Sequence, residues 1–149
     1  MEKKALILLV EDNKMDIELT LDAFQEARLL NKIQVAHNGE EALRYLLGEA
    51  EFSDRKKYPL PSIILLDLKM PGIDGFEVLK RVKSTDGIKR IPVIILTSSK
   101  EEGDRALSYD NGANSYLVKP VSFDGFIEVV KKVTDYWFSL NVEPPFNGQ

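Results

Sequence analysis

Short apolar runs alternate with amphipathic helical segments five times along this chain. The runs are four to six residues long and rich in Ile, Leu and Val, which is typical of strands buried on both faces of a parallel sheet. Strict alternation of strands and helices places helices on both faces of one such sheet. The pattern therefore predicts an α/β fold of five β-α units, with strands at residues 5–10, 33–36, 63–66, 92–96 and 115–118.

Size and composition limit the classes of function that need to be considered. The 149 residues are 44% hydrophobic and 30% charged, which suits one globular domain. The net charge is -4 without a long run of Lys or Arg, so nothing supports nucleic-acid binding. The absence of cysteine excludes thiol catalysis and cysteine-based zinc sites. The apolar run near the N-terminus is too short for a signal peptide or a membrane span, so we expect a cytoplasmic protein without a membrane partner.

Polar side chains of distinct types follow four of the five predicted strands. Glu11 and Asp12 follow the first, Asp67 the third, Thr97 the fourth and Lys119 the fifth. Because parallel strands end along the same edge of a sheet, we expect these side chains to converge. Three acids within about 5 Å would repel by roughly 3 kcal/mol per pair at an effective dielectric near 20. Such a cluster requires a proton, a lysine or a cation.

The expected cluster has the chemistry of a phosphoryl-binding site. Oxygen ligands without His or Cys favour a hard ion such as Mg²⁺. A metal ion and Lys119 would offset charge on a phosphate, Thr97 would donate to one of its oxygens, and Asp67 could attack phosphorus to form an acyl phosphate. The structural alternative is a buried Lys119–Asp67 ion pair with Thr97 as a satisfied core hydroxyl.

From about Ala5 to Trp137 the chain resembles the CheY-like receiver domains of response regulators. Each motif alone is weak, but the ordered set is specific. In chain order the matching motifs are Glu11-Asp12, Asp67, Met70-Pro71-Gly72 with Asp74-Gly75, Thr97, Tyr116 and Lys119-Pro120. Glu11 departs from the commoner Asp, and we expect its longer arm to reach a metal through water.

The resemblance implies a fold and a set of site residues. The implied fold is a doubly wound, flavodoxin-like (βα)5 sheet with strand order 2-1-3-4-5, formed by a receiver domain at 1–140 with a tail at 141–149. It also implies a cis peptide between Lys119 and Pro120. The implied site residues are the phosphoacceptor Asp67, the Mg²⁺ ligands Glu11, Asp12, Asp67 and the backbone carbonyl of Lys69, and the phosphate-binding and switch residues Thr97, Ser98, Tyr116 and Lys119.

The implied function is that of a single-domain response regulator in a two-component phosphorelay. It would accept a phosphoryl group from a sensor histidine kinase, signal through protein contacts, and turn over no substrate. The long polar segment at 49–61 and the C-terminal sequence at 126–137 are similar to those of stand-alone receivers that work with phytochrome-type kinases.

Three other functions share parts of this pattern. A flavodoxin-like electron carrier has the same fold, but Glu11 and Asp12 would repel the phosphate of its cofactor. A haloacid-dehalogenase phosphatase needs a general acid two residues after its nucleophile, where this chain has Lys69. An unphosphorylated receiver-like scaffold would not need the complete set of site residues.

Several elements outside the strand ends carry their own predictions. The segment 49–61 is expected to be a surface loop, the helix at 100–111 to be weakly anchored, and His37 to be a surface residue. Lys69 and Ser99 would flank the path of attacking water, and neither is suited to orient it, so we expect a long-lived phosphoryl group.

The last helix has more apolar residues than a stripe packed on a sheet requires. Phe123, Phe126 and Val130 are expected to face the sheet, and further residues widen the apolar arc. This excess predicts a homodimer through the last helix and the fifth strand. The interface would include Tyr136, Trp137 and Phe138, unless the tail folds back over them.

Overall fold

The computed structural model describes residues 6–29, 31–120 and 122–140. They form a five-stranded parallel sheet with the strand order β2-β1-β3-β4-β5, which confirms the predicted topology. The strands are β1 Leu6–Val10, β2 Lys32–Ala36, β3 Ile63–Leu66, β4 Val93–Thr97 and β5 Ser115–Val118. The helices are α1 Lys14–Glu26, α2 Gly39–Leu47, α3 Gly75–Lys83, α4 Glu102–Asp110 and α5 Phe123–Asp135, with a π-helical turn at Tyr136–Leu140.

Successive side chains of the central strands enter two separate hydrophobic clusters, one on each face of the sheet. Leu8 and Val10 of β1 pack in the cluster that α2 and α3 cover, whereas Ile7 and Leu9 pack in the cluster that α1 and α5 cover. All five residues of β1 are buried as a result. The continuous apolar runs in the sequence therefore reflect helices on both faces.

Polar caps fix four of the five helices where the chain leaves the carboxyl edge of the sheet. The side chains of Asn13, Asn38, Asp74 and Ser122 each accept a hydrogen bond from the backbone N–H three residues later. The start of α4 has no such side-chain cap, and Ser108 is its only buried residue. The weak anchoring predicted for this helix is therefore confirmed.

The segment at 49–61 is not the simple surface loop that its charged composition predicts. A short 3₁₀ helix, Ala50–Phe52, buries Phe52 against Tyr45 and Tyr58, with ring centroids 5.0 and 5.1 Å from that of Phe52. The Arg55 guanidinium donates to the backbone carbonyls of Tyr45, Leu46 and Tyr58. Two of these carbonyls end α2, so Arg55 supplies the donors that a helix C-terminus lacks.

None of the described helices is long and apolar enough to cross a membrane. The expected tail at 141–149 lies outside the described residues, so the division of the chain at residue 140 stays a prediction.

Candidate phosphoryl-acceptor site

Backbone hydrogen bonds bring the strand ends together at the carboxyl edge of the sheet. The amide of Asp67 donates to the carbonyl of Val10 at 3.0 Å, and the amide of Lys119 donates to the carbonyl of Thr97 at 2.7 Å. These bonds continue the β1–β3 and β4–β5 pairing by one residue past the strands. The predicted convergence of polar side chains is present around Asp67.

Three carboxylates form the acidic part of this site. Glu11, Asp12 and Asp67 each place an oxygen within 4.8 Å of the others. Burial raises the pKa of Glu11 from 4.5 to about 6, although its hydrogen bond to Lys119 opposes the shift. Burial also raises the pKa of Asp67, against the opposing effects of the Lys119 charge and a Thr97 hydrogen bond. In both groups the cost of burying the charged carboxylate exceeds the stabilisation by Lys119 and the hydrogen bonds.

Lys119 is the cation of the site, and three carboxylates share it. Its Nζ lies 2.5 Å from Glu11 Oε1, 2.8 Å from Asp16 Oδ2 and 3.8 Å from Asp67 Oδ1. Burial lowers the pKa of Lys119, but hydrogen bonds to Asp16 and Glu11 outweigh this effect and raise it overall. The Lys119–Asp67 ion pair of the structural alternative is therefore present, but both hydrogen bonds of the ammonium go to Glu11 and Asp16.

The predicted cis peptide between Lys119 and Pro120 is wrong, because the described residues contain no cis peptide bond. The trans form is the lower-energy isomer. The four-carbon side chain of Lys119 reaches the acids from a trans backbone, so aiming it at the site does not require the cis form.

Asp16 is a member of the site that the strand-end argument missed. It lies in the first turn of α1, not at a strand end, and its side chain is 32% exposed. Its amide donates to the Asn13 cap, which fixes the turn that carries it. The sequence did contain a sign of this role, because Asp16 is an acid in the first turn of a helix that begins at the same sheet edge as Glu11.

Thr97 and Tyr116 link the acceptor to the loop before α4. Thr97 is fully buried, and its hydroxyl hydrogen bond lowers the pKa of Asp67. The Tyr116 hydroxyl donates to the backbone carbonyl of Ser99 at 3.0 Å, and its ring packs against the α2–α3 side of the core. Ser98, predicted beside Thr97, is exposed. The Thr97 hydroxyl also accepts a hydrogen bond from the Ser99 amide at 3.4 Å, which connects it to the same loop.

A second group of polar contacts lies beside the acceptor. The Asp104 carboxylate accepts a hydrogen bond from Ser99 Oγ at 2.6 Å and pairs with Lys69 Nζ at 3.2 Å, through the same oxygen. Hydrogen bonds from Ser99, then Lys69, lower the pKa of Asp104. Neither position 69 nor position 99 carries a carboxylate in the sequence. In the structure, the Asp104 carboxylate contacts the side chains at both positions.

The loop after Asp67 is folded tightly against the start of α3. The Gly75 amide donates to the carbonyl of Leu68 at 2.9 Å. A Cβ at position 75 would lie 2.2 Å from the Asp67 carbonyl oxygen and 2.6 Å from Leu68 Cα. Only glycine fits this approach, and the contact fixes the backbone that carries the acceptor.

The donor set suits a hard divalent cation. Glu11, Asp12 and Asp67 supply carboxylate oxygens, and Asp12 is exposed to solvent, which would allow a metal ion to keep part of its water shell. A cation here would also relieve the burial cost that raises the pKa of Glu11 and Asp67.

The predicted interface residues differ in their surroundings. Tyr136 is 51% exposed, whereas Trp137 and Phe138 are half-buried and pack against the α1–α5 side of the core. Phe123, expected to face the sheet, is 37% exposed. His37 is a surface residue as predicted, and its Nδ1 lies 3.1 Å from Glu41 Oε1.

Comparison with known proteins gives a consistent family assignment. Residues 7–131 match the model of the response regulator receiver domain. The chain is 36% identical to the probable methanogenesis regulatory protein FilR2 of Methanothrix harundinacea, covering 96% of this chain and 90% of FilR2. It is 34% identical to the response regulator Rcp1 of Synechocystis sp., covering 93% of this chain and 92% of Rcp1.

Solved structures agree with these relatives. The phosphorylated cyanobacterial phytochrome response regulator RcpA matches with a TM-score of 0.88 at 36% identity, over 96% of this chain and all of RcpA. The Mn²⁺-bound form of Rcp1 matches with a TM-score of 0.83 at 33% identity, over 95% of this chain and 99% of the other. With the fold, the acidic cluster and the shared lysine, these matches show that the chain belongs to the response-regulator receiver family of two-component signalling.

Proposed function

We propose that this chain accepts a phosphoryl group onto Asp67 from the phosphohistidine of a sensor kinase. A carboxylate oxygen of Asp67 attacks phosphorus and the P–N bond breaks. The bonding electron pair stays on the imidazole nitrogen, so a neutral histidine leaves when its other ring nitrogen is protonated. The observation that carries the proposal is the surroundings of Asp67. Its side chain is 8% exposed and 3.8 Å from the Lys119 ammonium, and the Thr97 hydroxyl opposes the rise of its pKa on burial.

The neighbouring side chains stabilise the charge of the transferred group. Lys119 is close enough to move from its present partners to a phosphoryl oxygen, and Thr97 can donate to a second one. Ser98 and Tyr116 complete the proposed switch. Mg²⁺, bound by Glu11, Asp12, Asp67 and the backbone carbonyl of Lys69, would offset phosphoryl charge. The chain forms an acyl phosphate once per signal and is not a turnover enzyme.

The central experiment is labelling with a small phosphodonor and Mg²⁺. The wild type should be labelled, and Asp67→Asn should abolish labelling because the attacking oxygen is lost. Asp86→Asn is the matched control, because the Asp86 side chain is 91% exposed and pairs with nearby Lys89. Undiminished labelling of Asp67→Asn would refute the assignment of the acceptor.

The metal role has a separate test. Asp12→Ala should reduce labelling by weakening metal binding, so a higher Mg²⁺ concentration should partly restore it. Labelling that stays low at every metal concentration would argue against Asp12 as a ligand.

The partner is proposed to be a phytochrome-type sensor histidine kinase in the cytoplasm. The phytochrome response regulator RcpA, 36% identical to this chain, and the bacteriophytochrome response regulator RtBRR, 44% identical, support this choice. FilR2, named for methanogenesis, favours a different input at similar identity. Phosphotransfer from purified kinases of both kinds would decide between them. Output passes through protein contacts, without nucleic acid or a membrane.

A homodimer through α5 and β5 completes the proposal. Exposed Tyr136 borders an apolar groove of about 220 Å³ lined in part by Leu117, Val133 and Trp137. In sedimentation at tens of micromolar, the wild type should dimerise and Tyr136→Ala should shift toward monomer. Tyr109→Ala, which removes an aromatic side chain 49% exposed on α4, should not. A monomeric wild type with and without phosphorylation would refute the interface.

The phosphoryl group is proposed to persist for many minutes. Lys69 and Ser99 flank the acceptor, and both use Asp104, so that carboxylate is occupied and does not orient water. Lys69→Asn should speed hydrolysis of the labelled protein. An unchanged rate would exclude position 69 as the cause.

A further inference from the structure

Lys119 is held on the α1 side of the site by an acid that is outside the predicted metal ligands. Its two hydrogen bonds go to Glu11 at 2.5 Å and Asp16 at 2.8 Å, and it lies 3.8 Å from the Asp67 oxygen. An ammonium has three N–H donors, so the third remains for a group near Asp67.

The position of this ammonium determines whether the Asp67 carboxylate oxygens are free to attack phosphorus or to bind a cation. A direct hydrogen bond from Lys119 would occupy an oxygen that must attack phosphorus or bind a cation. The first turn of α1 is fixed by its Asn13 cap, and the Thr20 hydroxyl donates to the Asp16 carbonyl at 2.8 Å. The backbone that carries the Asp16 carboxylate is therefore fixed beside Lys119.

We propose that Asp16 is a positioning residue that holds the Lys119 ammonium away from Asp67 until a phosphoryl group draws it across. This inference rests on the proposed function of Asp67 as acceptor. Without Asp16, Lys119 keeps its hydrogen bond to Glu11 and moves toward Asp67, neutralises two carboxylates of the proposed metal site, and weakens the cation binding that phosphorylation needs.

The first test measures metal affinity, which does not require phosphorylation. Asp16→Asn should raise the apparent Kd for Mn²⁺ about tenfold, the low end for losing a group that orients metal ligands. Asp22→Asn is the matched control, since it removes the same charge from an exposed position of α1. It should leave the Kd close to that of the wild type.

The same pair of substitutions in a Lys119→Met background tests whether the effect passes through Lys119. There the effect of Asp16→Asn should shrink to that of Asp22→Asn. Equal effects of Asp16→Asn and Asp22→Asn in the native background would overturn the proposal. So would an Asp16→Asn effect that is equally large without Lys119, because Asp16 would then act on the metal directly.

A crystal structure of Asp16→Asn provides a measurement that needs no Lys119 variant. The proposal expects Lys119 Nζ within hydrogen-bond distance of Asp67 Oδ1, and an unmoved ammonium would overturn it. Labelling of the wild type separates the two levels of inference. A wild type that binds Mn²⁺ but is never labelled refutes the acceptor function, whereas a labelled wild type with an unmoved Lys119 in Asp16→Asn refutes only the role of Asp16.

Discussion

Two partly buried lysines lie at opposite edges of the same sheet and are held in different ways. Among the described residues, the ion-pair partners of Lys119, at the carboxyl edge, are the carboxylates of Glu11, Asp16 and Asp67. Lys83, at the amino edge, donates to the carbonyls of Lys89 and Ile91, which precede β4. It also donates to the side-chain oxygen of Asn114, which directly precedes β5. Burial lowers the pKa of Lys83, whereas the acids raise that of Lys119.

Lys83 therefore has a structural role, whereas Lys119 can change its hydrogen-bond partners. Backbone carbonyls are neutral and fixed, so no ligand in solution competes for the oxygens around Lys83. Carboxylates bind protons and metal ions as well as lysine, so each partner of Lys119 can be withdrawn or replaced. The comparison predicts that chemical function should depend on Lys119 and stability on Lys83.

The largest expected effect comes from Lys119→Met. Losing the cation that stabilises the phosphoryl charge should reduce the labelling rate about a hundredfold or more, as for other preorganised charge-stabilising groups. Metal binding should be retained or tightened, because the competing cation is gone. Exposed Lys14→Met, at the start of α1, controls for the charge change. A labelling rate within a few-fold of the wild type would break the comparison.

Lys83→Met should act on stability instead. Removing a charged donor from the Ile91 carbonyl and Asn114 should reduce the free energy of unfolding in urea by about 2 kcal/mol. The folded variant should be labelled at the wild-type rate. Lys80→Met, on the exposed side of α3, should change neither quantity. If Lys83→Met slows labelling at full stability, the division of roles is wrong.

Metal affinity should depend on pH through Glu11. Because the pKa of Glu11 is raised to about 6, its proton competes with a cation, and apparent affinity should fall about fivefold from pH 6 to pH 5. Glu11→Gln should reduce this dependence, leaving only the part that comes from Asp67, whose pKa burial also raises. Mn²⁺ titrations at both pH values measure it, and an identical slope in the variant would exclude Glu11 as the competing site.

The smallest expected effect is on stability at alkaline pH, where the contributions of Lys83 and Lys119 to the free energy of unfolding should change in opposite directions. The folded pKa of Lys83 is below 10.5, so the unfolded chain binds more protons in that window and the Lys83 contribution to stability rises with pH. The folded pKa of Lys119 is above 10.5, so its contribution is lost as pH rises through that pKa. Urea unfolding of wild type and each Met variant should show the Lys83 difference growing from pH 8 to about 10.5 and the Lys119 difference shrinking from about 10.5 to about 11.5.

Sequence patterns were sufficient where topology alone places a residue. Asp67, Thr97 and Lys119 each end or directly follow a strand, so strand order determines that they meet. The two hydrophobic clusters follow from the same runs, because a strand covered on both faces must be apolar throughout.

Positions that depend on side-chain reach could not be predicted this way. Asp16 and Asp104 each lie in the first turn of a helix, and their contacts with Lys119 and Ser99 depend on rotamers and loop paths. The charged composition of 49–61 predicted a surface loop and gave no sign of its packing. Arg55 contributes to that charge, but its guanidinium donates hydrogen bonds to the Tyr45 and Leu46 carbonyls of α2.

The close contact at Gly75 limits how this molecule could be re-engineered. Because any side chain at 75 would collide with the Asp67 carbonyl, the segment from 67 to 75 can be exchanged between relatives only as a complete unit of unchanged length. A loop with one added residue would separate the Gly75 amide from the Leu68 carbonyl and shift the acceptor backbone. Libraries that vary the exposed position 71 within that length and keep Gly72, whose φ is +75°, should therefore keep the acceptor in place, whereas insertions should not.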